Sequence, residues 1–150
     1  MLEILRADSR HKREINRLIR DTKIGSRIYG PVPKNTWIAR IGGKIVGYAG
    51  LNFIGRKTAI LEGVAVEEDL RHQGIGSALM NHRINFAHRR GVKVFALTTM
   101  HYRFRFYKHH GFATCPRKYL PEFLREYPQF TEKSLMKCAV MVKGIKIKRS

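Results

Sequence analysis

Residues 61–80, LEGVAVEEDLRHQGIGSALM, constrain the fold more than any other stretch of the chain. An apolar, strand-like run ends at Val66, an acidic turn follows, and a basic loop containing Gly74 and Gly76 leads into a helical pattern from Ser77. A strand, a glycine loop and a helix start in this order present several backbone N–H groups to one anion, and the helix dipole adds partial positive charge. Glycine is needed because a Cβ would block the close approach of a phosphate. The stretch therefore predicts a pyrophosphate-binding loop.

The length and composition indicate a single domain, residues 1–150, with enough apolar residues (43%) for a hydrophobic core. No apolar run approaches the roughly 20 residues of a membrane-spanning helix, and the N-terminus lacks the apolar segment of a signal peptide. We therefore expect a cytoplasmic protein with no membrane contact, in which Cys115 and Cys138 are free thiols. No metal-ligand spacing surrounds them, so no metal is expected.

The charge of the chain is its unusual property, with 30 Lys and Arg against 11 Asp and Glu and a formal net charge of +19. Such a field attracts polyanions and accelerates encounter with them. Nucleic acid, an acidic protein, a phosphorylated cofactor or an acidic small substrate would each benefit. The alternative is a basic, solvated surface without a partner, and charge by itself does not separate these explanations.

The first half of the chain reads as an edge strand, an amphipathic helix that ends near Gly25, a loop over 24–33 and a meander of three strands. A Gly-Gly pair between two β-rich runs predicts a hairpin formed by strands 35–41 and 44–53. The third strand of the meander, 58–66, leads into the glycine loop.

The second half of the chain begins with a helix over 77–90 and a buried strand over 92–98. Because a helix separates this strand from the third meander strand, the two are expected to be parallel and joined by a right-handed crossover. A short helix over 100–110, an irregular segment over 116–130 and a last strand over 135–142 complete the pattern.

Two motifs in this order point to one family. The loop 71–76, RHQGIG, has the form R/Q-x-x-G-x-G/A, follows an L-x-x-V-A-V strand and opens a helix. Residues 106–112, FYKHHGF, have the form F-Y-x-x-x-G-F. The combination resembles the GNAT superfamily of acyl-CoA-dependent N-acetyltransferases, whose coenzyme A signature is the first motif. The resemblance implies an α/β (α+β) GNAT fold: a mixed, mostly antiparallel sheet flanked by about four helices, with a parallel pair splayed at the acetyl-CoA site.

The resemblance also implies a site. The pantetheine arm of acetyl-CoA would pair with the strand 64–66, and the pyrophosphate would lie on the N–H groups of the loop and the helix start. An N–H near Val64 would stabilise the oxyanion formed when a neutral amine attacks the thioester. The cofactor-binding residues expected in this way are Val64, Ala65, Val66, Arg71, His72, Gln73, Gly74, Ile75, Gly76 and Ser77.

Two side chains are the catalytic candidates. Tyr107 matches the position at which the family commonly keeps a tyrosine general acid, which would protonate the leaving thiolate; the alternative is a packed aromatic residue. Glu62, with the strand parity of Val64 and Val66, would deprotonate the amine directly or through water; the alternative is a solvated carboxylate. His101, His109 and His110 lie near Tyr107 in the sequence and are interpreted as surface histidines, with a histidine base as the alternative.

The acceptor is the open question. Segments 97–99 and 120–122 are similar to those of amino-acid N-acetyltransferases, including N-acetylglutamate synthase-type domains, which act on a small acidic amine. The side chains that could meet its carboxylate are Arg103, Arg105, Lys108 and Arg117, with a generic basic surface as the alternative.

The net charge keeps two other hypotheses open. The chain could acetylate a protein lysine, a protein N-terminus or an RNA-linked amine, or it could be a non-catalytic module that binds nucleic acid through 101–110 and 143–149. The intact glycine loop and Tyr107 favour an enzyme. The expected partners are acetyl-CoA and an amine acceptor, and the family resemblance adds a second copy of the chain, because family members are often dimers.

Overall fold

A computed structural model describes residues 1–145, in which seven strands form one mixed sheet in the order β1-β2-β3-β4-β5-β7-β6. The strands are β1 (Leu2–Arg6), β2 (Thr36–Ile41), β3 (Lys44–Ile54), β4 (Thr58–Val66), β5 (Val94–Thr99), β6 (Ala113–Thr114) and β7 (Ala139–Lys143). Most of the basic segment 143–149, one of the two segments expected to contact nucleic acid, lies outside the described residues.

Helices cover both faces of this sheet. One apolar face of α1 packs with β2 and β3, while α2 and α3 pack on the opposite face around Val64 and Val66. Residues 24–33 form no helix or strand, as expected. Across residues 1–145 the α-helices are α1 (Lys12–Thr22), α2 (Ile75–Arg89), α3 (Phe104–His109), α4 (Glu122–Arg125) and α5 (Pro128–Thr131).

The parallel pair is short, and this confirms the expected splay. β4 pairs with β5 only where Thr58–Ile60 of one strand faces Val94–Ala96 of the other. Beyond that point β5 pairs along its other edge with the whole of β7. The last six residues of β4 therefore present one backbone edge to a gap in the sheet rather than to a neighbouring strand.

A β-bulge in β4 corrects the expected orientation of Glu62. In the register with β3, Leu61 lies opposite Leu51 and Val64 lies opposite Ala49. Two residues of β4, Glu62 and Gly63, therefore face a single residue of β3, Gly50. One extra residue in a strand reverses the alternation of side chains beyond it. The sequence-based parity was therefore wrong: Glu62 lies on the opposite face from the side chains of Val64 and Val66.

The remaining boundaries differ by a few residues. The last strand begins at Ala139, because Lys133–Leu135 forms a turn of 3-10 helix instead of the start of a strand. Cys115 and Cys138 are free thiols, as expected. Within residues 1–145, no helix combines the length and the apolar character that crossing a bilayer requires.

Candidate active site

The gap between β4 and β5 exposes the backbone of Val64 and Val66. Their carbonyls point into the gap, since each accepts a hydrogen bond from an arginine outside the sheet. Arg103 Nη1 donates to Val64 O at 3.2 Å, and Arg71 Nε donates to Val66 O at 3.3 Å. The amides of the same two residues face the same edge, where β5 supplies no partner. This edge can pair with an extended, amide-containing group that enters the gap.

The glycine loop ends at an α2 start that has no side-chain cap. Gly74 is the N-cap in the left-handed conformation (φ +83°), which favours glycine, and the first helical hydrogen bond runs from Ala78 N to Gly74 O. The first N–H groups of a helix have no partner within the helix. Those of Ile75, Gly76 and Ser77 are therefore available to an anion at the positive end of a 15-residue helix.

Packing places this helix start beside the gap. A Cβ built on Gly76 would lie 3.5 Å from Phe106 Cε1 and 3.7 Å from Val64 Cγ1, so the loop, β4 and α3 meet here. Ser77 Oγ lies 3.1 Å from His110 Nε2. Burial, with the neighbouring His109, Lys143 and Arg83, lowers the pKa of His110, which favours its neutral form at the helix start.

Tyr107 is buried on α3, at the side of the gap that faces α2. It is 5% exposed and its ring makes edge contacts with Phe106 (5.1 Å between centroids) and Phe112 (6.0 Å). The Arg103 guanidinium that binds Val64 O lies 5.9 Å from the Tyr107 ring. The Tyr107 ring is therefore packed among aromatic residues, and Arg103 links it to the exposed backbone edge of β4.

Glu62 lies at the other side of the gap, among tyrosines. The Glu62 side chain is exposed at the gap, yet the groups around its carboxylate displace enough water to raise its pKa, while the positive charge of Arg83 opposes the shift. Burial and the charge of Glu62 raise the pKa of Tyr48 to about 12, and the same two causes raise the pKa of Tyr127. Tyr127 accepts a hydrogen bond from the side chain of Asn52. A carboxylate with a raised pKa beside neutral phenols suits a proton acceptor.

The loop after α1 closes this side. Tyr48 Oη donates to Ile24 O at 3.1 Å, and Ile24 Cγ2 lies against Gly63, next to Glu62. Gly25 follows with φ +89°, and a Cβ there would collide with Tyr48 Oη. The loop therefore borders the Glu62 side of the gap.

Arg83 is a buried cation beneath the bulge, and its side chain is 0% exposed. Its Nη1 donates to Glu62 O at 2.6 Å and to Gly50 O at 2.7 Å, while its Nε has no partner among the described residues. Burial lowers the pKa of Arg83 to about 10, which leaves it charged at neutral pH. Arg83 thus links α2 to both strands at the point where the gap opens.

Sequence reasoning missed Tyr48, Arg83 and Tyr127. The signal for Arg83 was an arginine within the apolar face formed by Leu79, Met80, Ile84 and Ala87. Of the arginines proposed to meet a carboxylate, Arg117 instead donates to Phe130 O (3.0 Å) and Leu135 O (2.9 Å). Arg103, by contrast, lies at the gap, where it donates to Val64 O at 3.2 Å.

Comparison with known proteins adds a family. The model of the acetyltransferase (GNAT) family matches residues 2–112. A probable N-acetyltransferase camello of Xenopus tropicalis is 30% identical over 100 residues, which are 63% of this chain and 46% of that protein. The chain therefore spans about half the length of this curated relative.

Solved structures share the fold. N-acetylglutamate synthase from Neisseria gonorrhoeae, complexed with coenzyme A and L-arginine, superposes with a TM-score of 0.78 at 21% identity, over 96% of this chain and 33% of that chain. Rv2747 from Mycobacterium tuberculosis, in complex with CoA, also has a TM-score of 0.78, at 18% identity, over 96% of this chain and 99% of that chain. At these identities the likeness concerns the fold.

Proposed function

Because the chain belongs to the GNAT family of acetyltransferases, we propose that it transfers an acetyl group from acetyl-CoA directly to a primary amine. The observation that supports this function best is the arrangement around the sheet gap. An unpaired backbone edge at Val64 and Val66 lies beside an uncapped helix start, with Glu62 and Tyr107 at opposite sides.

The residues fit the cofactor. The N–H groups at the start of α2 and the exposed Arg71 suit a pyrophosphate, because both offer donors and positive charge to an anion. The open edge of β4 suits the amide groups of a pantetheine arm, with Val64 and Val66 as the partners. Arg71 and Arg103 would have to release the two carbonyls for both to pair with the arm.

The chemistry follows from three groups. Acetyl-CoA supplies an acyl thioester, whose carbonyl carbon the amine attacks. Glu62 accepts a proton from the amine, and its raised pKa makes it a stronger base than an ordinary glutamate. The amide of Val64 faces the gap and donates to the developing oxyanion. Tyr107 donates a proton to the departing thiolate.

A small amine is the acceptor that we favour, and an acidic amino acid is its more specific form. Glu62 attracts the ammonium form of an acceptor, while Arg103, beside Tyr107, can pair with a carboxylate. A protein lysine, a protein N-terminus or an RNA-linked amine would use the same two proton-transfer groups. These acceptors would differ from a small amine because the rest of the macromolecule would contact the loop 24–33.

A thiol-release assay tests the proposal, with acetyl-CoA and a panel of glutamate, aspartate, neutral amino acids, polyamines, peptides and aminoacyl-RNA. We expect turnover of a small amine and initial-rate lines that intersect, because direct transfer requires both substrates to be bound together. The acidic form of the proposal fails if glutamate and aspartate are inert while another class is turned over. Absence of thermal stabilisation by millimolar acetyl-CoA would overturn the enzyme assignment itself.

A further inference from the structure

A basic groove runs along α1, away from the contacts that define the sheet gap. It has a volume of about 600 Å³ and lies between the helix and the segment 24–33. The cationic side chains that line it are Arg10, Lys12, Arg13, Arg17, Arg20 and Arg27.

Specific contacts hold the outer wall of this groove. The side chain of Asn16 binds both backbone groups of Ile28: Nδ2 donates to Ile28 O at 3.0 Å, and Ile28 N donates to Oδ1 at 2.8 Å. Lys12 Nζ donates to Tyr29 O at 2.7 Å. The segment is therefore fixed against α1, and Arg27 and Tyr29 flank the fixed residue.

Part of the positive charge in the groove is not neutralised. Arg17 pairs with Glu67 at 2.8 Å, Arg10 pairs with Asp8 at 2.7 Å, and Arg20 pairs with Asp21 at 3.2 Å. In the described part of the chain, no carboxylate lies within ion-pair distance of Arg13 or Arg27. Guanidinium groups bind phosphates through two parallel hydrogen bonds, so the groove suits a polyanion.

An exposed aromatic ring beside the groove favours single-stranded RNA over other polyanions. Tyr29 is 83% exposed, and the Arg27 guanidinium lies 5.5 Å from its ring. Unpaired bases stack on aromatic rings and on arginine planes, and such bases are typical of RNA loops and single strands. A protein partner would need an apolar anchor, whereas Ile19, the apolar side chain in this groove, is only 7% exposed.

We propose that the α1 groove binds single-stranded RNA, with phosphates on Arg13 and Arg27, a base stacked on Tyr29, and a further phosphate that takes Arg20 from its exposed pair with Asp21. The proposal does not rest on acetyl transfer: Arg27 and Tyr29 lie in the loop whose start borders the gap, but none of the four residues contributes to the glycine loop or the two proton-transfer groups. It also differs from the segments 101–110 and 143–149 that the sequence suggested.

The test is fluorescence anisotropy of the full chain with a labelled 12-nucleotide RNA, titrated over a range of salt concentrations. The variant R13Q/R20Q/R27Q should bind at least tenfold more weakly, and the slope of log affinity against log salt should fall by about 2, at roughly 0.7 per lost phosphate contact. Tyr29→Ala should weaken binding and leave that slope unchanged, because stacking releases no counterions.

The matched control removes the same charge elsewhere. R56Q/K57Q/K93Q changes three exposed cations around the β3–β4 turn and the start of β5, and it should bind RNA almost as well as the parent chain. Equal losses in the two triple variants would overturn the proposal, since only overall charge would then matter. Equal binding of poly-glutamate, or of duplex and single-stranded RNA, would also overturn it. Unchanged melting temperatures verify that the variants fold.

Discussion

Arg83 Nη1 donates a 2.6 Å hydrogen bond to the backbone carbonyl of Glu62, and thereby ties the helix that begins at the glycine loop to the strand that carries the candidate base. The same nitrogen donates to Gly50 O on β3 at 2.7 Å. One buried guanidinium thus holds both strands at the β-bulge. Its charge also lies close enough to Glu62 to oppose the rise in the pKa of that carboxyl.

Arg83→Met should lower the free energy of unfolding by about 1–3 kcal/mol, because it leaves a buried strand carbonyl without its donor. It should also raise the pKa of Glu62 further, since a positive charge is lost. Urea unfolding and a carbon-13 NMR titration of the carboxyl measure the two effects. Arg83→Lys is the control because it keeps the charge; an identical pKa of Glu62 in both variants would contradict the electrostatic role.

Glu62→Gln should lower kcat/KM at neutral pH by about 100-fold or more, because the variant has no proton acceptor. In the parent chain the rate should fall as pH decreases through the raised pKa of Glu62, above the ordinary value of 4.5. The measurement is a pH–rate profile, with Glu68→Gln, an exposed carboxylate in the turn after β4, as the control. An unaltered profile in Glu62→Gln would remove Glu62 from the mechanism.

The same substitution should stabilise the fold. Because folding raises the pKa of Glu62, the unfolded chain ionises first as pH increases, and the parent chain loses stability from about pH 4.5 up to the folded pKa. Glu62→Gln avoids this loss, so it should be slightly more stable than the parent at pH 7 and similar near pH 4; the gain is small because Glu62 is exposed and solvent screens its charge. Urea unfolding at the two pH values checks the sign; a variant that is less stable at pH 7 would contradict it.

Tyr107→Phe should lower kcat by about 100-fold and leave the affinity for acetyl-CoA unchanged, because the ring keeps its contacts with Phe106 and Phe112. Steady-state kinetics and calorimetric titration separate the two quantities. Tyr102→Phe is the control, since Tyr102 is 73% exposed and precedes the same helix. A normal kcat in Tyr107→Phe would assign this tyrosine to packing alone.

Gly76→Leu should weaken acetyl-CoA binding at least tenfold and leave the chain folded. A Cβ at this position makes ordinary contacts with Phe106 and Val64, whereas larger side chains reach further into the space beside the helix start. Gly76→Ala should therefore bind acetyl-CoA nearly as well as the parent; the need for glycine expected from the sequence applies to Gly74, whose φ is +83°, rather than to Gly76. Calorimetric titration gives the affinities, and the thermal midpoint without ligand checks the fold. If the leucine variant binds normally, the pyrophosphate does not lie at this helix start.

Local patterns were sufficient for most of the fold. The Gly-Gly pair marked the hairpin of β2 and β3, and the loop 71–76 marked the start of α2, which begins at Ile75, two residues before its expected position. Helix ends and tight turns depend on residues close together in the chain, and this is why they are legible in the sequence. The roles of Glu62 and Tyr107 stay predictions, because they concern groups that act on a substrate.

The sequence by itself determined the family, the order of the elements and the glycine loop that faces the sheet gap, because each depends on neighbouring residues or on a motif. Only the tertiary structure decided the face on which Glu62 lies, since the bulge reverses the alternation that a sequence pattern assumes. It also decided the contacts of Arg83 with Gly50 and Glu62, which join residues 21 or more positions apart. Such contacts arise when separate elements pack, and no local pattern encodes their distance.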